Sequence, residues 1–249
     1  MTALRALLFN AIFWVWTVSL AVLYLLLLPL PWRALYASVA WWARSMMWTL
    51  DAVVGLKWEK RGANHLPQGA CIVAAKHQSA WDTVSVPLWF DYSSVVLKRE
   101  LFQIPIWGWH ARRCGMIAVD RGAGASALKR MVAEARQRAG EGRKIVIFPQ
   151  GTRTAPGTKR AYLPGVAALY DKLGLPVAPV ALNSGMFWGR RAFMKRPGRI
   201  VVEFLEPIPP GLGRREFMAE LERRIEEASD RLALEAGFNP QAVHTESGQ

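Results

Sequence analysis

The chain has 249 residues, of which 52% are hydrophobic and 12 are Trp, and its formal net charge is +13. This length accommodates one large domain with its own core and leaves room for a membrane segment. The two cysteines, Cys71 and Cys114, lie in or beside apolar runs. Two such isolated cysteines exclude a disulfide framework and a cysteine-based metal site, and they predict buried, reduced thiols.

Charge and tryptophan are distributed unevenly along the chain. Seven of the tryptophans lie in the first 58 residues, whereas residues 1–56 carry only +2 of the net charge. A basic body behind an apolar, Trp-rich N-terminus suits an anionic membrane surface and anionic substrates. Nucleic-acid binding is the competing interpretation of a basic chain. We expect no nucleic-acid partner, because the sequence contains no helix-turn-helix, RNP or zinc-finger pattern.

The first apolar segment runs from Ala6 to Leu28 without a charged side chain. A helix of that length, rising about 1.5 Å per residue, crosses a hydrocarbon core of about 30 Å. No small-residue cleavage site follows it, so we expect a retained membrane segment rather than a signal peptide. Basic residues are more numerous after the segment than before it. This bias predicts an inner-membrane protein with its body on the cytoplasmic face.

A second apolar segment, Ala34–Leu56, is not uniform around its circumference. Its aromatic and charged residues recur at helical spacing and so share one stripe. Tryptophan beside charge along one face favours a helix lying in the headgroup layer. The alternative is a second spanning helix with an internal ion pair. The residues of this stripe are Trp41, Arg44, Trp48 and Asp51.

From residue 57 onwards, short β-branched runs alternate with amphipathic stretches. This alternation predicts an α/β domain with a mostly parallel central sheet flanked by helices. We divide the chain into N-terminal membrane-anchoring helices (residues 1–56), the α/β domain (57–236) and a polar tail (237–249). The predicted strands are Cys71–Ala75, Val95–Leu97, Met116–Val119, Lys144–Phe148, Val177–Leu182 and Ile200–Leu205; the predicted helices are Thr83–Phe90, Phe102–Trp109, Ala125–Arg138, Val166–Leu173 and Arg214–Glu235.

His77 and Asp82 follow the first buried run of this domain. Within one regular helix their side chains would point about 140° apart, so we expect His77 to precede the helix. The Ser79-x-x-Asp82 spacing has the form of a capping box, which folds the chain back and lets the carboxylate reach the imidazole. Such a pair supplies a general base. The alternative is purely structural, with Asp82 capping a helix and His77 an ordinary turn residue.

Three further polar turns follow apolar runs, and one of them is the charged turn Lys98-Arg99-Glu100-Leu101 before the predicted aromatic helix. The Gly151-Thr152-Arg153 turn combines a close backbone approach, a hydroxyl and a guanidinium, which suit a phosphate group. The Asp120-Arg121 pair follows another predicted strand. In isolation, each turn is equally well explained as a tight turn, a solvated ion pair or a surface charge cluster. Ligands of open α/β sheets gather at the carboxyl ends of the strands. We therefore expect a site lined by the residues that follow apolar runs, namely His77, Asp120/Arg121, Gln150–Arg153 and Asn183/Ser184.

Taken together, four ordered blocks resemble the glycerolipid acyltransferase family, and its bacterial 1-acyl-sn-glycerol-3-phosphate acyltransferases above all. The His77-x4-Asp82 spacing matches the H-x4-D motif of that family. The run from Gly115 to Arg121 resembles G-x-x-F-I-D-R, and the run from Phe148 to Arg153 resembles F-P-E-G-T-R. The run from Val177 to Val180 resembles the fourth block, I/V-P-V. The resemblance extends over about residues 57–210.

The resemblance implies transfer of an acyl chain from acyl-CoA or acyl-carrier protein to the sn-2 hydroxyl of lysophosphatidic acid, without cofactor or metal. His77 would remove the hydroxyl proton and Asp82 would orient His77. One alternative is the same chemistry on another lyso-lipid such as lyso-ornithine lipid, and another is a non-catalytic basic membrane-binding module. The residues that we expect to bind substrate are Lys98, Arg121, Gln150, Gly151, Thr152 and Arg153.

The chain departs from the family pattern at two positions. Ala118 stands where an aromatic residue is usual, and Gln150 stands where Glu is usual. The His77–Asp82 pair already supplies a base, so we interpret Gln150 as bonding the acceptor or ordering the turn that follows it. We also expect backbone N–H groups near Gly151, or at the helix that begins after Ser79, to stabilise the oxyanion.

Overall fold

A single seven-stranded sheet forms the centre of the molecule. The computed structural model describes residues 2–120, 122 and 124–239, and within them the strand order is β1-β7-β6-β2-β5-β3-β4. The five strands from β6 to β4 are parallel, whereas β7 runs antiparallel to β6 and β1 pairs parallel with β7. The predicted, mostly parallel sheet is confirmed. The strands are β1 (Leu56–Arg61), β2 (Ile72–Ala75), β3 (Ser93–Lys98), β4 (Ile117–Val119), β5 (Lys144–Ile147), β6 (Val177–Leu182) and β7 (Gly198–Phe204).

Helices cover both faces of the sheet. In β2, Val73 and Ala75 face a core shared with α2, whereas Ile72 and Ala74 face a second core shared with α5, α6 and α7. Strands buried on both faces read as continuous apolar runs, which is why they were recognisable in the sequence. The helices are α1 (Thr2–Leu23), α2 (Trp32–Val54), α3 (Ala80–Ser85), α4 (Trp107–Arg113), α5 (Gly124–Gly140), α6 (Gly165–Leu173) and α7 (Arg214–Glu235).

Three elements differ from the sequence prediction. Strand β1 was not predicted, because four of its six residues are charged and an edge strand tolerates such a composition. The helix predicted from residue 83 to 90 ends at Ser85 and continues as a 3-10 turn that contains Pro87. The helix predicted from residue 102 begins only at Trp107. Pro105 precedes that start, and a proline restricts the residue before it to extended conformations.

The helices α1 and α2 lie side by side. The indole of Trp16 donates to Ser45 at 3.0 Å, and the indole of Trp42 donates to Thr17 at 3.2 Å. With the turn that follows it, α1 is the one candidate membrane span of the described residues, Thr2–Leu27. On α2, Trp41 and Trp48 are exposed as expected, while the opposite face packs in the core. Whether α1 spans the bilayer, and whether a domain boundary lies at residue 56, remain predictions.

Both cysteines are free and buried, as predicted. Burial raises the pKa of the Cys71 thiol to about 11 and that of the Cys114 thiol to about 12. Both side chains are therefore protonated and unreactive near neutral pH. Most of the predicted tail, residues 240–249, lies outside the described residues.

Candidate active site

The turns after three adjacent strands bring the predicted polar residues together. Strands β6, β2 and β5 are neighbours in the sheet, and their carboxyl ends lead into Ser184, His77 and Gln150. Hydrogen bonds described below join the turns after these three strands, whereas the turn that contains Asp120 is not part of this cluster.

His77 and Asp82 form a direct pair. The Nδ1 atom of His77 lies 2.9 Å from Oδ2 of Asp82. Because a carboxylate only accepts hydrogen bonds, Nδ1 is the protonated nitrogen, and Nε2 carries the free lone pair. The imidazole stacks on the Phe148 ring with centroids 4.2 Å apart, and 13% of its side chain is exposed. The pair thus presents a basic nitrogen at a small opening.

The Asp82 carboxylate is held from every side. Its Oδ2 atom accepts from the backbone N–H of Gln78 at 2.7 Å and of Ser79 at 2.8 Å, and its Oδ1 atom accepts from the Ser184 hydroxyl. The predicted capping box is present. Asp82 therefore caps α3 and orients His77 at the same time, so the two interpretations of this residue are compatible. Ser184 was not predicted as a partner of Asp82.

Some of the N–H groups expected to stabilise the oxyanion already have acceptors. The N–H groups of Gln78 and Ser79 already donate to Asp82, and the N–H of Trp81 donates to the Ser79 hydroxyl. The N–H of Gly151 donates to the carbonyl of Phe148 at 2.9 Å. These four groups close the two turns, so the oxyanion site remains a prediction for the other N–H groups near Gly151 and at the start of α3.

The turn after β5 is hydrogen-bonded to the backbone of His77. The His77 N–H donates to Oε1 of Gln150 at 3.3 Å, and the Thr154 N–H donates to the His77 carbonyl at 2.8 Å. Gly151 adopts a φ of 67°, a conformation that favours glycine and lets the chain reverse here. Arg153 lies inside this turn. Among the described residues, no carboxylate or carbonyl pairs with its guanidinium, which leaves it available for an anion.

A buried polar network supports this turn from behind. The side-chain amide of Gln150 donates to Oε1 of Glu226 on α7 at 3.3 Å, and the Tyr162 hydroxyl donates to the same oxygen at 2.8 Å. Burial and the neighbouring Glu226 carboxylate raise the pKa of Tyr162, so its hydroxyl remains a donor. Lys76 pairs with the other oxygen of Glu226. The network links His77, through Gln150, to the C-terminal helix.

The comparisons with known proteins agree with this geometry. The acyltransferase family model matches residues 57–183, a range that contains His77, Asp82 and the whole turn after β5. The chain belongs to the acyltransferase family. It is 37% identical to the 1-acyl-sn-glycerol-3-phosphate acyltransferase of Pseudomonas aeruginosa over 174 residues, covering 70% of this chain and 68% of the relative.

Two further similarities extend this result. The acyltransferase is 30% identical to the lyso-ornithine lipid O-acyltransferase of Pseudomonas aeruginosa, over 75% of this chain and 76% of the relative. Its fold is similar to that of the 1-acyl-sn-glycerophosphate acyltransferase crystal structure from Thermotoga maritima. That match has a TM-score of 0.76 at 21% identity and covers 93% of this chain and 98% of the other. The predicted α/β fold is confirmed by this likeness.

Two further charged residues from the predicted turns, Lys98 and Asp120, lie along the same edge of the sheet. Lys98 ends β3, and its ammonium lies 3.3 Å from the Glu100 carboxylate at the surface. Asp120 follows β4 and pairs with Arg99 at 3.1 Å, also at the surface. Arg121 lies outside the described residues. The structure therefore does not bring Lys98 or Asp120 into the hydrogen-bonded cluster around His77.

Ala118 lies on β4, away from His77. Its methyl group contributes to the wall of a surface pocket of ≈ 470 Å³, together with Phe102 and Met116 and the guanidinium-bearing Arg99 and Arg112. An aromatic side chain at position 118 would occupy part of this space. The departure at Ala118 therefore changes the shape of this edge of the sheet, while the pair at His77 is untouched.

Proposed function

We propose that this acyltransferase moves a fatty acyl chain from acyl-CoA or acyl-carrier protein to the sn-2 hydroxyl of lysophosphatidic acid, giving phosphatidic acid. The observation that carries the proposal is the 2.9 Å contact between His77 Nδ1 and Asp82 Oδ2. The turn that contains His77 is hydrogen-bonded to the turn that contains Arg153, whose guanidinium is unpaired among the described residues. The acceptor is supported by the 37% identity to a relative named for this substrate.

The base of the reaction is Nε2 of His77. It takes the proton of the acceptor hydroxyl as the hydroxyl oxygen attacks the carbonyl carbon of the thioester. The tetrahedral intermediate then collapses, the C–S bond breaks, and the imidazolium returns its proton to the departing thiolate. Asp82 keeps the proton on Nδ1 and stabilises the transient positive charge of the ring. A thioester is already activated, so the reaction needs no protein nucleophile.

Arg153 supplies the binding site for the acceptor phosphate in this proposal, with Arg121 and Lys98 assisting. A guanidinium matches the geometry of phosphate oxygens. Gly151 and Thr152 shape the same turn. Gln150 does not bind the acceptor in this proposal, because the residue is only 1% exposed. Its side-chain amide is hydrogen-bonded to His77 and Glu226 instead. We therefore assign Gln150 the second of its two predicted roles, ordering the turn.

A second acceptor is lyso-ornithine lipid, favoured by the 30% identity to a relative named for it. Both acceptors offer a lyso-lipid chain, but lysophosphatidic acid has a phosphate where lyso-ornithine lipid has an amino-acid carboxylate. We place the enzyme at the cytoplasmic face of the inner membrane, anchored by α1 and α2. The apolar α1 and the basic body behind it support this location.

The deciding experiment is an acyl-transfer assay of the purified, detergent-solubilised protein with a panel of lyso-lipids and both donor types. We expect the highest kcat/KM with lysophosphatidic acid. The variant His77→Ala removes the base and lowers kcat by about 10²–10⁴-fold. The matched control is His65→Ala, since His65 lies at the opposite end of β1 from the site and pairs with Glu206.

Three outcomes would contradict the proposal. Preference for lyso-ornithine lipid would move the enzyme to the second acceptor. Vesicle binding without any acyl transfer would make the chain a non-catalytic membrane module. Wild-type rates in His77→Ala would remove His77 from the mechanism.

A further inference from the structure

A short basic segment follows the active-site strand β6. Residues 189–197, which we call the basic loop, contain Arg190, Arg191, Lys195 and Arg196. No Asp or Glu occurs between residues 172 and 202. The loop is therefore a segment with only positive charges, whereas most other charged segments of the chain contain both basic and acidic residues.

The arginines of the basic loop have no partners in the part of the chain that the structure describes. The guanidinium groups of Arg190, Arg191 and Arg196 are exposed and form no ion pair with any described residue. By contrast, Arg199, which lies just beyond the loop, forms an ion pair with Glu59 at 2.7 Å. Guanidinium groups left free side by side attract an anionic surface.

The tip of the basic loop is apolar. Phe193 is 53% exposed and Met194 is 38% exposed, although both side chains would be expected inside a protein core. Exposed apolar side chains flanked by cations are the composition of elements that lie in the interface of an anionic bilayer.

The basic loop is fixed to the membrane helix α1. Lys195, itself buried, bonds the side chain of Asn10 on α1, and Asn10 in turn donates to the Phe193 carbonyl at 3.2 Å. Trp188, just before the loop, packs edge-on against Phe9 with ring centroids 5.6 Å apart. One turn before Asn10, Leu7 is 54% exposed. The apolar tip of the loop thus lies beside the apolar helix α1.

We propose that the basic loop is a second membrane-contact element. Phe193 and Met194 enter the bilayer interface, and the free arginines bind the phosphates of anionic lipids. The proposal rests on the proposed membrane location of the enzyme and is independent of its acceptor.

This contact has a direct consequence for the active site. The segment that ends in the basic loop begins at Ser184, which bonds Asp82, and Gly185, whose N–H donates to Gln78 at 2.9 Å. One short stretch of chain therefore joins the orienting carboxylate to the lipid surface. Contact of the loop with lipid would therefore hold the His77–Asp82 pair close to the bilayer.

The test places a fluorophore on the loop of the full chain. Met194→Cys is labelled with the environment-sensitive dye NBD; the native cysteines are buried and do not react. The matched control is Leu234→Cys, because Leu234 is 55% exposed on α7, whose packing face lies on the other side of the sheet from α2. Vesicles are either pure phosphatidylcholine or an equal mixture with phosphatidylglycerol, and vesicle flotation is measured in the same samples.

We expect the dye at position 194 to shift to the blue with the anionic vesicles and the dye at position 234 to remain unchanged. Adding Arg190→Gln and Arg191→Gln to Met194→Cys removes two cations, each worth about a fivefold change in affinity for an anionic surface. The shift should then need more phosphatidylglycerol. The pair Arg214→Gln and Arg215→Gln on α7 should have no such effect.

Two results would overturn the proposal. If the chain floats with the vesicles and position 194 behaves like position 234, the loop does not contact lipid, although the membrane location stands. If the chain does not float at all, both the location and the proposal fail. An equal shift with neutral vesicles and with the arginine variants would refute the role of the cations.

Discussion

Two regions at the carboxyl edge of one sheet contain similar residue types in different states. Around β2, β5 and β6, the polar side chains are buried and bonded to one another, as Asp82 and Gln150 show. Around β3 and β4, the ion pairs of Lys98 and Asp120 are exposed. Buried polar groups must find partners, so their geometry is fixed. Exposed pairs are screened by water and contribute little. Burial and hydrogen bonding therefore distinguish the predicted catalytic pair, His77 and Asp82, from the exposed charges near β3 and β4.

The largest effect is expected where the buried region orients the base. Asp82→Asn removes the acceptor that holds the proton on Nδ1 of His77, so kcat should fall about 10²–10⁴-fold. The measurement is steady-state kinetics, with thermal unfolding to confirm that the variant is folded. The control is Asp91→Asn on the surface. A kcat within twofold of the wild type in a folded variant would show that Asp82 only caps α3.

The next largest effect concerns the charge balance behind His77. Lys76, Glu226 and Gln150 together contain one cation, one carboxylate and one amide. Gln150→Glu adds a second carboxylate, and Glu226→Gln leaves Lys76 without a counter-charge, so each single variant should lose about tenfold or more in kcat. The double variant restores the balance and should recover part of the loss. Kinetics and unfolding free energies of all four proteins complete the cycle.

The matched control for this cycle is Glu227→Gln, the next residue on α7, whose carboxylate pairs with Arg223 at the surface. It should behave like the wild type. Additive losses in the double variant would mean that Gln150 and Glu226 are not coupled, and the buried region would then be less cooperative than its contacts indicate.

A moderate effect should distinguish two of the three candidate phosphate ligands, Arg153 and Lys98. Arg153→Ala removes the unpaired guanidinium from the turn that is hydrogen-bonded to His77, so the KM for the acceptor should rise about tenfold, the loss of one charge-assisted contact. Lys98→Ala, in the exposed region, should raise that KM less. The measurement is the acceptor dependence of the initial rate. Equal changes in both variants, or a larger change in Lys98→Ala, would place the phosphate nearer to β3 than we propose.

The smallest effect should come from the exposed pair of Asp120. The N–H of Gly122 and the Arg99 guanidinium lower the pKa of Asp120. Stability from this shift is present above the ordinary pKa of an aspartate and is lost as the pH falls through the lowered value. Asp120→Asn should therefore lower Tm by less than about 2 °C at neutral pH, with no difference at strongly acidic pH. A larger shift at neutral pH would make this region as cooperative as the buried one.

The fold was largely predictable because the central strands are continuous apolar runs. Strand β1 was missed because charged residues at a sheet edge do not produce such a run. The capping box was also informative. The Ser79-x-x-Asp82 spacing predicted that α3 begins after Ser79 and that the Asp82 carboxylate contacts the His77 imidazole. Local patterns of this kind are reliable when one short segment contains all the partners.

The support behind the site was not predictable, because its partners are distant in sequence. Glu226 lies on the buried face of α7 with Ser229 and Ala233, and this helical spacing was a signal. A glutamate among the many charges of α7 nevertheless reads as a solvated residue. Only the packing of α7 beside the sheet brings Glu226 to Lys76 and Gln150. The same holds for Ser184, whose partner Asp82 is 102 positions away.

The link between Lys76 and Glu226 spans 150 positions, and it imposes an order on biosynthesis. A ribosome adding about 5–20 residues per second needs on the order of ten seconds to make the intervening stretch. During that time α1 has already emerged from the ribosome, but Lys76, which follows β2, still lacks its counter-ion Glu226. The apolar α1 can therefore reach a membrane before the catalytic centre is complete, and we expect activity only after α7 has been translated.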